Sequence, residues 1–315
     1  MNIPTHASPA AVTTPKHVPT PYEIHPTYPA SGDVYEGYPS LVARLLDYDV
    51  CLIDGYSGVD WVEIVLSISD QATAIGKKVK FSSVSDAMLP EEAINRLVAP
   101  FLGGDDPLFG HKTDLQLEDF FDTAKLAAFS PDHTADLHLV YGCGAALLPW
   151  DVPVFYVDIP KNEIQRRMKA GSHRNLGASL PASFKSMYKR CYFVDWVILN
   201  KHKQHLLPRM EGVADQQTPG TITWIPGTVL RDTLHEMSKS YFRVRPWFEP
   251  GVWGGDWMKR HFGLDRSAPN YAWSFEMIVP ENGLLIRGQR HAVEISFDML
   301  MYQEKDNVLG KATRR

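Results

Sequence analysis

The chain has 315 residues, 44% apolar and 22% charged, enough material for a sizeable core, which excludes a largely disordered or fibrous protein. A net charge of −5 and a pI near 6.2 leave no overall basic field to attract nucleic acid or anionic lipid. No apolar run approaches the ~18 residues of a membrane helix. The opening MNIPTHASPA lacks a basic stretch followed by an apolar one, so no secretory signal is expected. Cys51, Cys143 and Cys191 are too dispersed for a disulfide framework or a zinc knuckle. In their apolar surroundings Cys51 and Cys143 read as buried reduced thiols. The expectation is a cytoplasmic protein that binds neither nucleic acid nor membrane.

In chain order, the first thirty residues hold seven prolines and only two charged side chains, Lys16 and Glu23. Few large apolar groups accompany them, so residues 1–32 read as a disordered lead-in, with 22–38 laid along a domain surface. From 33 to 238, short apolar runs alternate with helical patterns. Strands are expected at 50–54 (VCLID), 78–84 (KVKFSSV), 137–141 (LHLVY), 153–158 (PVFYVD) and 194–200 (VDWVILN). Helices are expected at 90–99, with proline in the first turn, at 116–128, and at 161–170, stopped by Gly171. This alternation predicts an α/β domain with a doubly wound, mostly parallel sheet. After Ser240 the pattern becomes β-rich, with strands expected at 241–248, 271–279, 283–287 and 292–302 and four of the eight tryptophans. The segment 239–303 is short for a barrel of its own, and 304–315 reads as a polar tail. No internal repeat is evident.

Asp54-Gly55-Tyr56-Ser57-Gly58-Val59-Asp60-Trp61-Val62 follows a strand and precedes a helix, the place of a phosphate-binding loop. Its first half resembles the DGxSGxGKS/T turn of the uridine-kinase-like nucleotide kinases. Asp60 then stands for a glycine, Trp61 for the lysine that reaches the β/γ oxygens, and Val62 for the hydroxyl that binds magnesium. The resemblance therefore implies a retained P-loop-kinase-like fold without phosphoryl transfer. Further on, 158–167 resembles the strand and basic lid helix of those kinases. Lys161, Arg166, Arg167, Lys169 and Arg174 are opposed only by Glu163, which suits either an anion-binding face or a solvated helix face. In Tyr141-Gly142-Cys143-Gly144 no acid occupies the position where those kinases tend to carry one. The phosphate-binding candidates are Gly55, Ser57, Gly58, Lys161, Arg166, Arg167 and Arg174.

Other candidates are weaker. Asp105, Asp106 and His111 suit a metal or sugar-hydroxyl site, but Gly103-Gly104 and Asp106-Pro107 equally mark a structured turn. His202 and His205 share a helix face with no acid nearby in sequence, which favours an exposed polar helix over a metal site. No HExxH, no nucleophile elbow and no marked nucleophilic cysteine is found.

Glu249-Pro250, Trp253-Gly254-Gly255 and the aromatic strand at 272–276 together resemble the opening of class I mannose-6-phosphate isomerases. The segments 98–110, 141–150 and 279–285 are similar to a longer subclass in which a kinase-like α/β domain precedes the isomerase. The resemblance spans about 33–302 and implies that 239–303 begins a cupin barrel. It further implies interconversion of mannose 6-phosphate and fructose 6-phosphate on a zinc ion that holds the sugar while a base moves the proton. In the family the zinc ligands begin with a Gln-x-His pair, expected beyond Arg315, so the chain is expected to carry no catalytic residue, metal ligand or cofactor of its own and to be inactive alone. Zinc would belong to the complete enzyme. A complementing C-terminal isomerase segment, or self-association through unpaired strand edges, would complete the barrel. Glu276, Glu294 and Asp298 read as polar-face strand residues. The alternative is that the α/β domain is a degenerate regulatory module binding a nucleotide or sugar phosphate.

Overall fold

Two runs, VCLIDG and VFYVD, set the middle of the main sheet, because every residue in both is buried. A strand covered on both faces has no polar side to show, which is why these runs are continuous rather than alternating. The structure is a computed structural model that describes residues 27–104, 110–239, 243–247, 257–261, 263, 274–278 and 283–296. The contacts divide the chain into two units.

The larger unit takes in residues 27–235 and the described residues of 283–296. It begins with β1 (Thr27–Pro29), β2 (Tyr35–Glu36), α1 (Tyr38–Leu45), β3 (Val50–Gly55), α2 (Trp61–Ala74) and β4 (Val79–Ser83). Next come α3 (Glu91–Val98), α4 (Thr123–Ala127), β5 (Leu137–Tyr141), β6 (Val154–Asp158), α5 (Lys161–Lys169), α6 (Phe184–Arg190) and α7 (Trp196–Leu206). β7 (Met210–Asp215), β8 (Thr223–Pro226) and α8 (Gly227–Ser238) follow. The main sheet has the order β2-β8-β7-β6-β3-β5-β4. The five strands from β7 to β4 run parallel, while β8 and β2 close one edge antiparallel. Leu41, Leu45, Ile64 and Ile68 of α1 and α2 pack on Ile53, Leu139 and Val157 to form the core of one face.

The smaller unit contains β9 (Arg243–Trp247), α9 (Trp257–His261) and β10 (Ser274–Ile278), with β9 and β10 paired antiparallel. The final strands, β11 (Leu284–Arg287) and β12 (Ala292–Ile295), form an antiparallel hairpin within the larger unit. There β11 pairs in parallel with β1.

The strands expected from the four apolar runs at 50–54, 78–84, 137–141 and 153–158 are present as β3 to β6. Four differences from the sequence reading follow. The run 194–200 is helical: a π-turn at Cys191–Asp195 leads directly into α7. A helix buried on most of its surface shows no amphipathic stripe, so its apolar run imitates a buried strand. β7 (MEGVAD) has Val213 as its one strong strand former, β8 (TWIP) is only four residues long and ends in proline, and Gly212 of β7 sits where a Cβ would meet the Phe155 ring at 2.8 Å. The pairing with β6, not local preference, makes β7 a strand. Residues 27–29, at the end of the stretch expected to be disordered, are a strand, because β11 offers them an edge. Likewise β11 and β12, grouped by sequence with 239–303, cluster with the α/β unit.

Candidate functional site: a cleft at the glycine turn

β3 leaves the sheet and returns through α2 toward β4 on one side, whereas β6 leads through α5 toward β7 on the other. Diverging connections open a crevice at the carboxyl ends of the strands, where open α/β sheets bind ligands. A cleft of about 650 Å³ lies there, lined by the turn 57–60, the start of α2, the region 85–91, Cys143 and the segment 172–179.

The turn is shaped by Gly58, whose φ of +92° is strained for any side chain, and whose missing Cβ leaves room for Ile164 and His173. Tyr56 N–H donates to the Val157 carbonyl, closing the turn onto β6. Among the described residues no acceptor meets the backbone N–H of Ser57, Gly58 or Val59. Asp60 caps α2 by accepting from Glu63 N–H at 3.0 Å, and Gln216 bonds to both the N–H and the carbonyl of Asp60.

The cations divide by role. Arg167 is buried and donates to the Gly58 carbonyl at 2.7 Å, the Gln216 carbonyl at 2.8 Å and Glu163 at 2.8 Å, so it braces the turn from behind. Arg166 is exposed and bidentate to Glu163 at 2.6 and 2.7 Å. Burial raises the Glu163 carboxyl, but the two guanidiniums outweigh it and hold the group below its ordinary range. Arg174 is exposed and reaches the Ser179 carbonyl at 3.0 Å. The cleft therefore gathers Ser57, Gly58, Arg166, Arg167 and Arg174. Gly55 and Lys161 do not line it. Gly55 gives way to the Trp61 ring, which turns back over the end of β3, and Lys161 stacks its ammonium 4.7 Å from the Trp196 ring. Trp61, standing where a lysine is expected, is a packing residue against Tyr141.

The far wall is fixed by a buried carboxylate. Asp195 accepts from Asn175 Nδ2 at 2.7 Å, Leu176 N–H at 3.2 Å and Arg190 Nε at 3.3 Å, pinning the start of the 173–179 segment. Burial pushes the Cys191 thiol well above its ordinary pKa and draws His173 down to about 4, so both are neutral at pH 7.

A family model described as "Domain of unknown function (DUF8485)" matches residues 37–239, well over half of the chain. The chain belongs to this family. No curated protein and no solved structure matches it. The DUF8485 span takes in all five parallel strands and the cleft, and it stops before the β11–β12 hairpin.

Behind the cleft, this DUF8485 domain keeps three aspartates at the ends of β3, β6 and β7. Asp54 accepts from the N–H groups of Gly55, Gly144 and Ala146 and bonds to His202 Nε2 at 2.8 Å. His202 is thus a buried structural partner rather than part of an exposed polar helix, and the acid that completes it lies 148 residues away in sequence. Asp158 pairs with buried Lys203 and accepts from Ser296 N–H at 2.7 Å, while Lys203 donates to the Ser296 carbonyl at 2.7 Å. Asp215 accepts from Gln217 and from Glu294 N–H at 3.2 Å, and burial raises its carboxyl to about 6. These contacts dock the hairpin onto the sheet ends.

No group of three or more metal-ligating side chains occurs among the described residues. One Gln-x-His spacing, Gln289-Arg290-His291, does occur within the chain, against the expectation that such a pair lies beyond Arg315. It occupies the β11–β12 turn, where His291 pairs with Glu36. Asp105 and Asp106 lie outside the described residues, and His111 packs its ring against Phe101. Asp195, His173 and Asn175 are absent from the sequence-based candidates, because nothing in their local sequence sets them apart.

Proposed function

We propose that the α/β unit is a binding module for a small phosphorylated ligand, a nucleotide or a sugar phosphate, seated on the 57–59 turn. Its role is regulatory rather than phosphoryl-transferring. The observation that carries this reading is the conjunction at one cleft of three backbone N–H groups without an acceptor among the described residues and the exposed guanidiniums of Arg166 and Arg174. The turn leads into the 14-residue α2, whose N-cap Asp60 already places a carboxylate at the helix start, so the anion is held by the turn N–H groups and the guanidiniums rather than by the helix end. Asp60, Trp61 and Val62 fill the positions where transfer needs a lysine and a metal-binding hydroxyl, which supports binding without turnover. The test is a thermal-shift series with mannose 6-phosphate, ATP and inorganic phosphate. A rise in Tm that is lost in Arg166→Ala/Arg174→Ala supports the reading, and no shift with any phosphate ligand rejects it.

A second reading places the chain in the mannose-6-phosphate isomerase family, as an element inactive by itself. It draws on the segments at 98–110, 141–150 and 249–285 and on the antiparallel pairing of β9 with β10 and β11 with β12, where barrel strands are expected. A coupled assay for fructose 6-phosphate with added zinc, alongside metal analysis, tests it. Turnover with bound zinc would overturn the expectation of inactivity.

A further inference from the structure

One side chain beside the turn is left with an unexplained polar atom. His173 is 1% exposed, and its Nδ1 has no hydrogen-bond partner among the described residues. Leaving such an atom unpaired in the interior is costly, which calls for a compensating role. Nδ1 lies 3.4 Å from the position a Cβ on Gly58 would take, so it faces the turn, and His173 lines the cleft.

The opposite ring nitrogen bears on what Nδ1 can offer. Nε2 is 3.7 Å from the Cys191 sulfur, which itself receives Asn175 Nδ2 at 3.2 Å. The thiol is protonated, and its hydrogen lies within reach of two acceptors, His173 Nε2 at 3.7 Å and the Asp195 carboxylate at 3.9 Å. A thiol that donates to Nε2 leaves the imidazole proton on Nδ1. The ring then presents a neutral N–H donor, adjacent to the three unpaired N–H groups of the turn, and its partner must be an acceptor.

We propose that His173 is a ligand-binding residue of the cleft, its Nδ1–H donating to an oxygen of the anion held by the 57–59 turn once Gly58 shifts off the imidazole. The proposal rests on the phosphate-binding reading and adds to it a neutral donor that discriminates by hydrogen bonding rather than by charge.

The test uses the full chain, nitrogen-15-labelled at histidine, titrated with inorganic phosphate and observed by NMR, alongside affinities for His173→Phe and His173→Gln. The expected result is a shift of the His173 Nδ1 resonance on phosphate binding. Affinity should fall about tenfold in His173→Phe, one hydrogen bond's worth, with substantial retention in His173→Gln, which keeps a donor. Phosphate binding that leaves the His173 resonances unmoved, or a His173→Phe variant that binds within twofold of the wild type, would overturn the role of His173 and leave the binding reading standing. Absence of phosphate binding to the wild type removes both. Where His173→Phe does not fold, the resonance shift on the wild-type chain decides.

Discussion

Replacing Lys203 by Met tests whether the β11–β12 hairpin is an integral part of the α/β unit. Lys203 is 2% exposed and joins three elements at once: it pairs with Asp158 at the end of β6 and donates to the Ser296 carbonyl beyond β12. Methionine fills nearly the same volume, so cavity formation contributes little. What remains is an Asp158 carboxyl with no solvent access and no counter-ion. Removing one partner of a buried pair costs about 3–5 kcal/mol. In the wild type burial raises the Asp158 carboxyl and Lys203 holds it down; without Lys203 it rises further. A carboxyl whose folded-state pKa exceeds its unfolded value stabilises most at low pH and loses that contribution as pH rises. The deficit of Lys203→Met should therefore be larger at pH 8 than at pH 5. Urea unfolding at both pH values measures it, and hydrogen exchange reports on the amides of β11 and β12, which should lose at least tenfold in protection. Adding Asp158→Asn, which keeps an acceptor for Ser296 N–H, should recover half or more of the loss. A deficit under about 1 kcal/mol, with hairpin protection unchanged, would refute the docking argument.

Three further outcomes are expected. Arg167→Met should destabilise by about 2–4 kcal/mol, since the Gly58 and Gln216 carbonyls and Glu163 all lose a donor, whereas Arg166→Ala, at an exposed pair, should cost no more than about 0.5 kcal/mol. Equal losses in chemical denaturation would show that Arg167 does not brace the turn. Gly58→Ala should cost about 2 kcal/mol, because a positive φ is joined by Cβ contacts at 3.2 Å to Ile164 and 3.4 Å to His173. Gly171→Ala, with positive φ but open space, should cost about 1 kcal/mol. Thermal unfolding ranks the two, and a milder Gly58 variant contradicts the packing. Asp215 titrates near 6 in the folded protein against an ordinary value of 3.8, so the stability it contributes is complete below about pH 4 and lost as pH rises through 6. The stability of wild type relative to Asp215→Asn should accordingly fall by about 3 kcal/mol across that interval, and a flat difference argues against the burial of the carboxyl.

Much of the architecture is legible in the sequence because a fully buried parallel strand writes itself as an apolar run. β3, β5 and β6 are such runs, and Gly171 marks the end of α5 as a positive-φ stop. The glycine turn is legible for a related reason: a sharp strand-to-helix turn needs small residues at fixed positions, and Gly58 supplies one. The first half of α7 reads wrongly as a strand because its run VDWVILN is nearly continuous in apolar residues, and the burial of Asn200, His202 and Lys203 behind it depends on partners from distant strands. The cleft is half legible. Its arginines can be named from sequence, but their division into Arg167, which braces the turn, and Arg166, which faces solvent, depends on which side of α5 meets Gln216.

The sequence alone determined the parallel α/β core and the place of its glycine turn, since both follow from local patterns of apolar and small residues. Tertiary structure alone decided that Trp61 packs over Gly55, that Asp195 holds the cleft wall through Asn175, and that Asp158 and Asp215 receive the backbone of residues 294–296. The reason is burial: a carboxylate removed from water must find its donors wherever the fold brings them, and here they come from chain segments that no local pattern connects.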